Sequence, residues 1–241
     1  MIVCGKNVAR EVINSNYNIK NIYLNENFNN GEILKLIEKN HIKPIYKSMH
    51  DMDKMTKDVH QGIIIELEDY KYLDFSSIKN DNDANFVVIL DHIEDPRNFG
   101  AIIRTCECAG VDYIIIPNKR STLITSSVMK TSSGALINSK IVMVANLKDT
   151  IDKLKKLGFW IVGSDADGED YTKIDYKGKT ALIIGSEGFG LKEIVRKNCD
   201  FIASIPLKGK VNSLNASVAA GILIYEVLRG KNEWIQFNNR S

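Results

Sequence analysis

No apolar run in the 241-residue chain approaches the roughly 20 residues needed to span a bilayer. Met1 leads directly into Ile2-Val3-Cys4-Gly5-Lys6, with no basic n-region, apolar h-region or small-residue cleavage site. The expectation is therefore a cytoplasmic protein with no membrane partner. Cysteine is scarce as well: Cys4, Cys106, Cys108 and Cys199 are scattered too widely for a disulfide framework. Cys106 and Cys108 lack the second pair or nearby histidine that would complete a tetrahedral site, so packed, reduced thiols and no metal are expected. An excess of one charge is also missing, since 32 Lys plus Arg face 30 Asp plus Glu for a net charge of +2. That balance excludes a polybasic tail or an acidic solvating protein but allows local basic patches. What remains is the composition of an ordinary globular chain, 44% hydrophobic and 26% charged, long enough for one large domain or two smaller ones.

Residues 1–72 read as a compact α/β unit. Helical spacing runs from Lys6 to Ile13 and from Glu32 to Glu38, with strand-type runs at Asn21–Leu24, Pro44–Tyr46 and Gly62–Glu66. Residues 73–84, crowded with Ser, Asn and Asp, read as an interdomain linker. From residue 85 to 241 strand and helix alternate more strongly. Strands are expected at Phe86–Leu90, Tyr113–Ile116, Phe159–Gly163, Ala181–Ile184 and Phe201–Ile205. Helices are expected at Ala101–Ala109, Leu147–Leu157, Leu191–Asn198 and Asn215–Leu228, and the tail from Gly230 to Ser241 looks loosely held. Unbroken apolar strands separated by helices indicate a parallel sheet, with functional loops beyond the C-terminal strand ends.

Three such loops carry the chemistry. The first, Asp91-His-Ile-Glu-Asp-Pro-Arg-Asn-Phe-Gly100, has a turn set by Pro96 and Gly100, and puts Asn98 near a helix start, with Arg104 on the helix beyond. The second, Gly185-Ser-Glu-Gly-Phe-Gly190, lets backbone N–H groups approach a ligand closely. Its order is not the dinucleotide G-x-G-x-x-G, and Glu187 within it suits a cationic or hydroxyl-bearing ligand better than a phosphate. The third, Pro206-Leu-Lys-Gly-Lys-Val-Asn-Ser-Leu-Asn-Ala-Ser217, crowds Asn212, Ser213 and Asn215 at a helix N-terminus, where one of them serves as the cap, and gives the loop the charges of Lys208 and Lys210. His60 and His92 lie near these residues without an evident nucleophile or metal partner and read as structural.

Together the segments Asp95–Arg104, Ile184–Gly190 and Ile205–Ala220 resemble the three ordered motifs of the SpoU family of RNA ribose 2′-O-methyltransferases. Residues 1–72, with Cys4-Gly-Lys-Asn-Val and His60-Gln-Gly62, resemble the small RNA substrate-binding domain of many members. The arrangement is most similar to the large-subunit (23S) ribosomal RNA guanosine-2′-O-methyltransferases. The resemblance implies a C-terminal trefoil-knotted parallel α/β methyltransferase domain behind a smaller N-terminal α/β domain, working as a homodimer on S-adenosylmethionine and RNA. By analogy Arg104 activates the ribose hydroxyl, Asn98, Glu187, Ser213 and Asn215 shape the site, and Gly185, Ile205 and Leu214 bind the cofactor through their backbone. The donor already carries an activated methyl, so no metal is required. Arg104 acts either as a base or as a cation that stabilises the developing alkoxide; its high intrinsic pKa leaves both versions open. Lys119, Arg120, Lys130, Lys208 and Lys210 are candidates for RNA contacts. Rival readings are the same reaction on tRNA or on a resistance-conferring rRNA adenosine, and a non-catalytic RNA-binding or ribosome-assembly module.

Overall fold

The computed structural model describes residues 1–15, 17–186, 190–211 and 213–231. Glu187, Asn212 and the tail 232–241, about which the sequence makes statements, lie outside the described residues. In chain order the first elements are β1 (Ile2–Cys4), α1 (Lys6–Asn14), β2 (Ile19–Asn25), α2 (Gly31–Lys39), β3 (Ile45–Lys47), α3 (Met49–Met55) and β4 (Ile63–Leu67). They are followed by α4 (Ser76–Lys79), β5 (Phe86–Leu90), α5 (Pro96–Cys108), β6 (Tyr113–Pro117), α6 (Ser126–Thr131), β7 (Ile141–Val144) and α7 (Leu147–Lys156). The series closes with β8 (Trp160–Asp170), β9 (Thr180–Ile184), α8 (Glu193–Arg196), β10 (Phe201–Ser204) and α9 (Ala216–Gly230).

The chain divides into two compact units, one made of residues 1–71 and 123–138 and the other of residues 72–122 and 139–241. The first holds a four-stranded sheet in the order β1-β4-β2-β3, in which β4 runs antiparallel to both neighbours and β2 pairs parallel with β3. Val8, Val12 and Ile13 of α1 and Ile33 and Ile37 of α2 recur at helical spacing and are buried, which is what holds the two helices on the unit's core. Asn30 caps α2 by accepting from the Ile33 N–H, and Ser48 caps α3 by accepting from the Asp51 N–H. His60, 6% exposed, accepts from the Gly62 N–H at Nδ1 (3.1 Å) and meets Asp53 at Nε2 (3.0 Å). With one ring nitrogen accepting, the other donates to the carboxylate, and the imidazole clamps the turn into β4.

The second unit is built on a six-stranded parallel sheet in the order β10-β8-β9-β5-β6-β7. All residues of β5, β6 and β9 are buried, as expected of strands covered on both faces. Leu147, Ile151 and Leu154 of α7 pack with Val87, Ile115 and Ile183 in one core.

Four expectations are corrected here. The segment 73–84 is not a free linker: Ile78 and Ala84 enter the second unit's core, and the Leu73 N–H donates to Ile141 O at 2.9 Å. Its polar residues are consumed locally, Asp74 accepting from Ser76 N and Asp81 from the Asp83 and Ala84 N–H groups, which leaves the apolar residues between them turned inward. Residues 123–138, expected in the C-terminal domain, fold with the first unit, where α6 packs on β1. Helix α5 begins at Pro96 rather than Ala101, because Asp95 caps it from the Arg97 N–H and proline at the first helical position costs no hydrogen bond. Cys108 is exposed rather than packed, although Cys4 and Cys106 are buried. All four thiols are free, and burial pushes that of Cys199 up to about 12.

Candidate active site

A cavity of about 480 Å³ lies at the C-terminal ends of β9 and β10, beside the middle of β8. Its walls come from four stretches: Ser164–Ala166 of β8, the loop after β9, Ala203 to Leu207, and the start of α9. Gly185, Ile205 and Leu214, the three residues that sequence reasoning assigned to the cofactor, all line it, and so does Ser213. After β9, the Gly190 N–H donates to Ser186 O at 3.1 Å. A Cβ placed on Gly185 would lie 2.5 Å from Gly190 C and 2.6 Å from its carbonyl oxygen, so only glycine allows the two loop ends to meet.

Asp165 is a wall residue that sequence reasoning missed. Its carboxylate pairs with Arg196 Nη1 at 2.6 Å, and the same nitrogen meets Asp167 at 2.8 Å. The hydrogen bond that Arg196 donates to Asp165 holds its guanidinium above its ordinary pKa, with Asp167 adding to the effect. The available signal was the acidic run from Asp165 to Asp170, which continues β8 well past the Gly163 end expected for it. Leu207 and Leu214 are exposed on the other side of the mouth.

The remaining predicted residues sit on two helices that pack together. Asn98, buried inside α5, accepts from Asn215 Nδ2 at 3.1 Å. Asn215 caps α9, its Oδ1 accepting from Ser217 N (3.0 Å) and Ser217 Oγ (2.6 Å). A single pair of asparagines thus ties the first loop's helix to the third loop. Asn98 does not line the cavity, and neither does Arg104, which lies on the exposed face of α5. Six residues of helix separate them, about 9 Å along the axis and about 120° around it. Glu187 lies outside the described residues. Among the described residues no cluster of three or more His, Cys, Asp or Glu side chains is arranged to hold a metal ion, and no helix is long and apolar enough to cross a membrane.

The lining suits a ligand with apolar surface and a few polar handles. Gly185, Ile205 and Leu214 stand at the wall, Ala203, Ala216 and Ala219 leave room, and Asp165 supplies one fixed carboxylate.

Residues 85–225 match the SpoU rRNA Methylase family, and residues 2–73 match the family of RNA 2′-O ribose methyltransferase substrate-binding domains. A Staphylococcus saprophyticus protein provisionally named a TrmH family tRNA/rRNA methyltransferase is 39% identical over 240 residues, covering 96% of both chains. YacO of Bacillus subtilis, provisionally named in the same way, is 37% identical over 238 residues, covering 95% of this chain and 96% of its own. Among solved structures, the SpoU methyltransferase AviRb of Streptomyces viridochromogenes, crystallised with AdoMet, superposes with a TM-score of 0.83. It is 22% identical and covers 97% of this chain and 91% of its own, a likeness of fold. With its motif loops gathered at the ends of a parallel sheet and with matches across both units, the chain belongs to the SpoU rRNA methylase family.

Proposed function

We propose that this protein transfers a methyl group from S-adenosylmethionine to a ribose 2′-hydroxyl of a guanosine in 23S ribosomal RNA, as a homodimer in the cytoplasm. The observation that carries the reading is the convergence of Gly185, Ile205 and Leu214 on one cavity closed by a wall that tolerates no side chain. The group held there supplies an activated methyl, and the protein supplies alignment and a route for the hydroxyl proton. Gly185, Ile205 and Leu214 would hold it through backbone N–H and C=O groups, and Asp165, fixed by Arg196, would accept from a hydroxyl or ammonium of the ligand.

Arg104 is the residue assigned to the attacking oxygen, with Asn98 and Asn215 fixing α5 against the start of α9. Its position on the exposed face of α5 suits a site completed by a second copy of the chain. Val218 and Tyr225, seven residues apart on α9, are exposed, as is Leu214 just before the helix, which supports α9 as the face that copy covers. The family's trefoil knot is part of the same proposal. It is supported by the strand order, in which the chain passes from β8 inward to β9 and then out to β10 on the far side of β8.

The test is calorimetry with S-adenosylmethionine, followed by transfer of radiolabelled methyl onto 23S rRNA and tRNA transcripts and mapping of the 2′-O-methyl position. Arg104→Ala is expected to abolish transfer while the donor still binds. Substantial residual methylation by that variant would remove Arg104 from its role, and transfer to tRNA alone would remove the ribosomal assignment.

A further inference from the structure

A second cavity, of about 490 Å³, lies at the C-terminal ends of β9, β5 and β6. It shares the wall residues Ser186 and Gly190 with the first. Its other walls are Asp91, His92, Glu94, Arg120 and Lys192. Asp91, 1% exposed, is fully engaged: it accepts from His92 Nδ1 and from the Lys192 N–H (3.3 Å). His92 Nε2 in turn lies 2.7 Å from Lys192 Nζ. A carboxylate can only accept and an ammonium can only donate, so the ring bridges the two by donating from Nδ1 to Asp91 and accepting at Nε2 from Lys192. The chain from buried carboxylate through imidazole to ammonium fixes where the Lys192 charge stands. Glu94 and Arg120 also face this space, and neither side chain has an ion-pair partner among the described residues.

Two of these wall residues hold backbone conformations that side-chain-bearing residues rarely adopt, His92 at φ 63° and Arg120 at φ 53°. Such a conformation persists where the surroundings impose it. The strain here is confined to the residues that present the imidazole and the guanidinium.

Charge decides what fits. Asp91 and Glu94 balance Arg120 and Lys192, so the cavity offers no net attraction to a bare anion. It offers one carboxylate fork and two cationic donors to a neutral ligand with fixed donors and acceptors. Among RNA bases only guanine presents adjacent donors, N1–H and N2–H, to a carboxylate, together with adjacent acceptors, O6 and N7, for Lys or Arg. We infer that this second cavity reads the guanine of the acceptor strand, with Glu94 accepting from N1–H and N2–H and with Lys192 and Arg120 donating to O6 and N7. Asp91 and His92 are positioning residues for Lys192. The inference rests on the RNA-methyltransferase reading above and adds to it the side chains that select the base.

The test uses the full chain and measures binding of GMP, IMP and AMP at millimolar concentration by saturation-transfer NMR, with S-adenosylmethionine calorimetry on the same samples. GMP is expected to bind at least about tenfold tighter than AMP, a difference of roughly 1.4 kcal/mol. IMP, which lacks the N2 amino group, is expected to fall between them. Glu94→Gln should bring GMP to the level of AMP while donor affinity stays unchanged, which shows the variant folded. Lys192→Met should weaken GMP and IMP together. Equal binding of GMP and AMP would mean that only the phosphate is held and would overturn the inference, as would an absence of nucleotide binding. A GMP preference surviving in Glu94→Gln would overturn it too. Loss of donor binding by the unaltered protein would instead strike the methyltransferase reading, and the GMP comparison would still be decided on its own.

Discussion

Replacing Gly185 by alanine adds one methyl group at a residue that lines the first cavity and packs against the Gly190 backbone. The added carbon would meet Gly190 C at 2.5 Å, Gly190 O at 2.6 Å and Leu191 N at 2.9 Å, all of them backbone atoms. Restoring an ordinary 3.4 Å contact requires the loop to retreat by about 0.9 Å, the difference between those two distances. Gly190 is also tied to the residue next to Gly185, its N–H donating to Ser186 O. Overpacking of this kind costs about 1–3 kcal/mol. Because the strained loop is the cavity wall, most of that cost should fall on ligand binding, as a loss of roughly 5–150-fold in S-adenosylmethionine affinity. The assay is calorimetry on Gly185→Ala beside the unaltered protein, with thermal melts to confirm folding. Gly31→Ala makes the same chemical change where nothing lies within 4 Å of the new carbon. It should leave donor affinity alone and stabilise the chain by about 0.4–1 kcal/mol. Donor binding by Gly185→Ala within twofold of the unaltered protein would refute the argument that this wall shapes the site.

Tyr113, 4% exposed, donates to Asp81 at 2.7 Å and holds that carboxyl below the usual carboxylate range. A depressed folded-state value means the contribution is present above the unfolded carboxylate pKa and is lost as pH falls through the folded one. Tyr113→Phe should therefore lower Tm by about 2–4 °C at neutral pH and flatten the loss of stability on acidification; an unchanged acid limb would contradict this. His60→Ala removes the acceptor of the buried Gly62 N–H and should destabilise the protein by about 1–3 kcal/mol in urea unfolding, without altering donor binding. Val218, 50% exposed, lies on α9, and Val218→Glu should convert a dimer to monomers in sedimentation velocity while leaving the melt of the monomer intact.

The strands of the parallel sheet were readable because burial on both faces leaves them no polar alternation: Phe86–Leu90 and Ala181–Ile184 stand out as apolar runs. The candidate loops were readable because glycine and cap residues clustered after such strands, and the structure gathers Gly185, Ile205 and Leu214 on one cavity. The start of α5 was not, because Asp95-Pro96 serves a turn and a helix first turn equally well, and only the bond from Arg97 N decides. Asp165 escaped because a carboxylate on an acidic run has no local mark of being anchored by an arginine 31 residues away. The Asp91–His92–Lys192 chain escaped for the same reason, joining residues 100 positions apart. Helix α6 could not be assigned to the first unit from the sequence, since nothing local reports which sheet a short amphipathic turn will cover.

That helix also bears on synthesis order. Since residues 123–138 belong with residues 1–71, the amino-terminal unit stays incomplete on the ribosome until the second unit's first two strands have already been translated. A fragment ending near residue 72 would leave the surface of β1 uncovered where α6 belongs, so expression of the amino-terminal unit for RNA-binding work calls for a graft of residues 123–138 rather than a simple truncation.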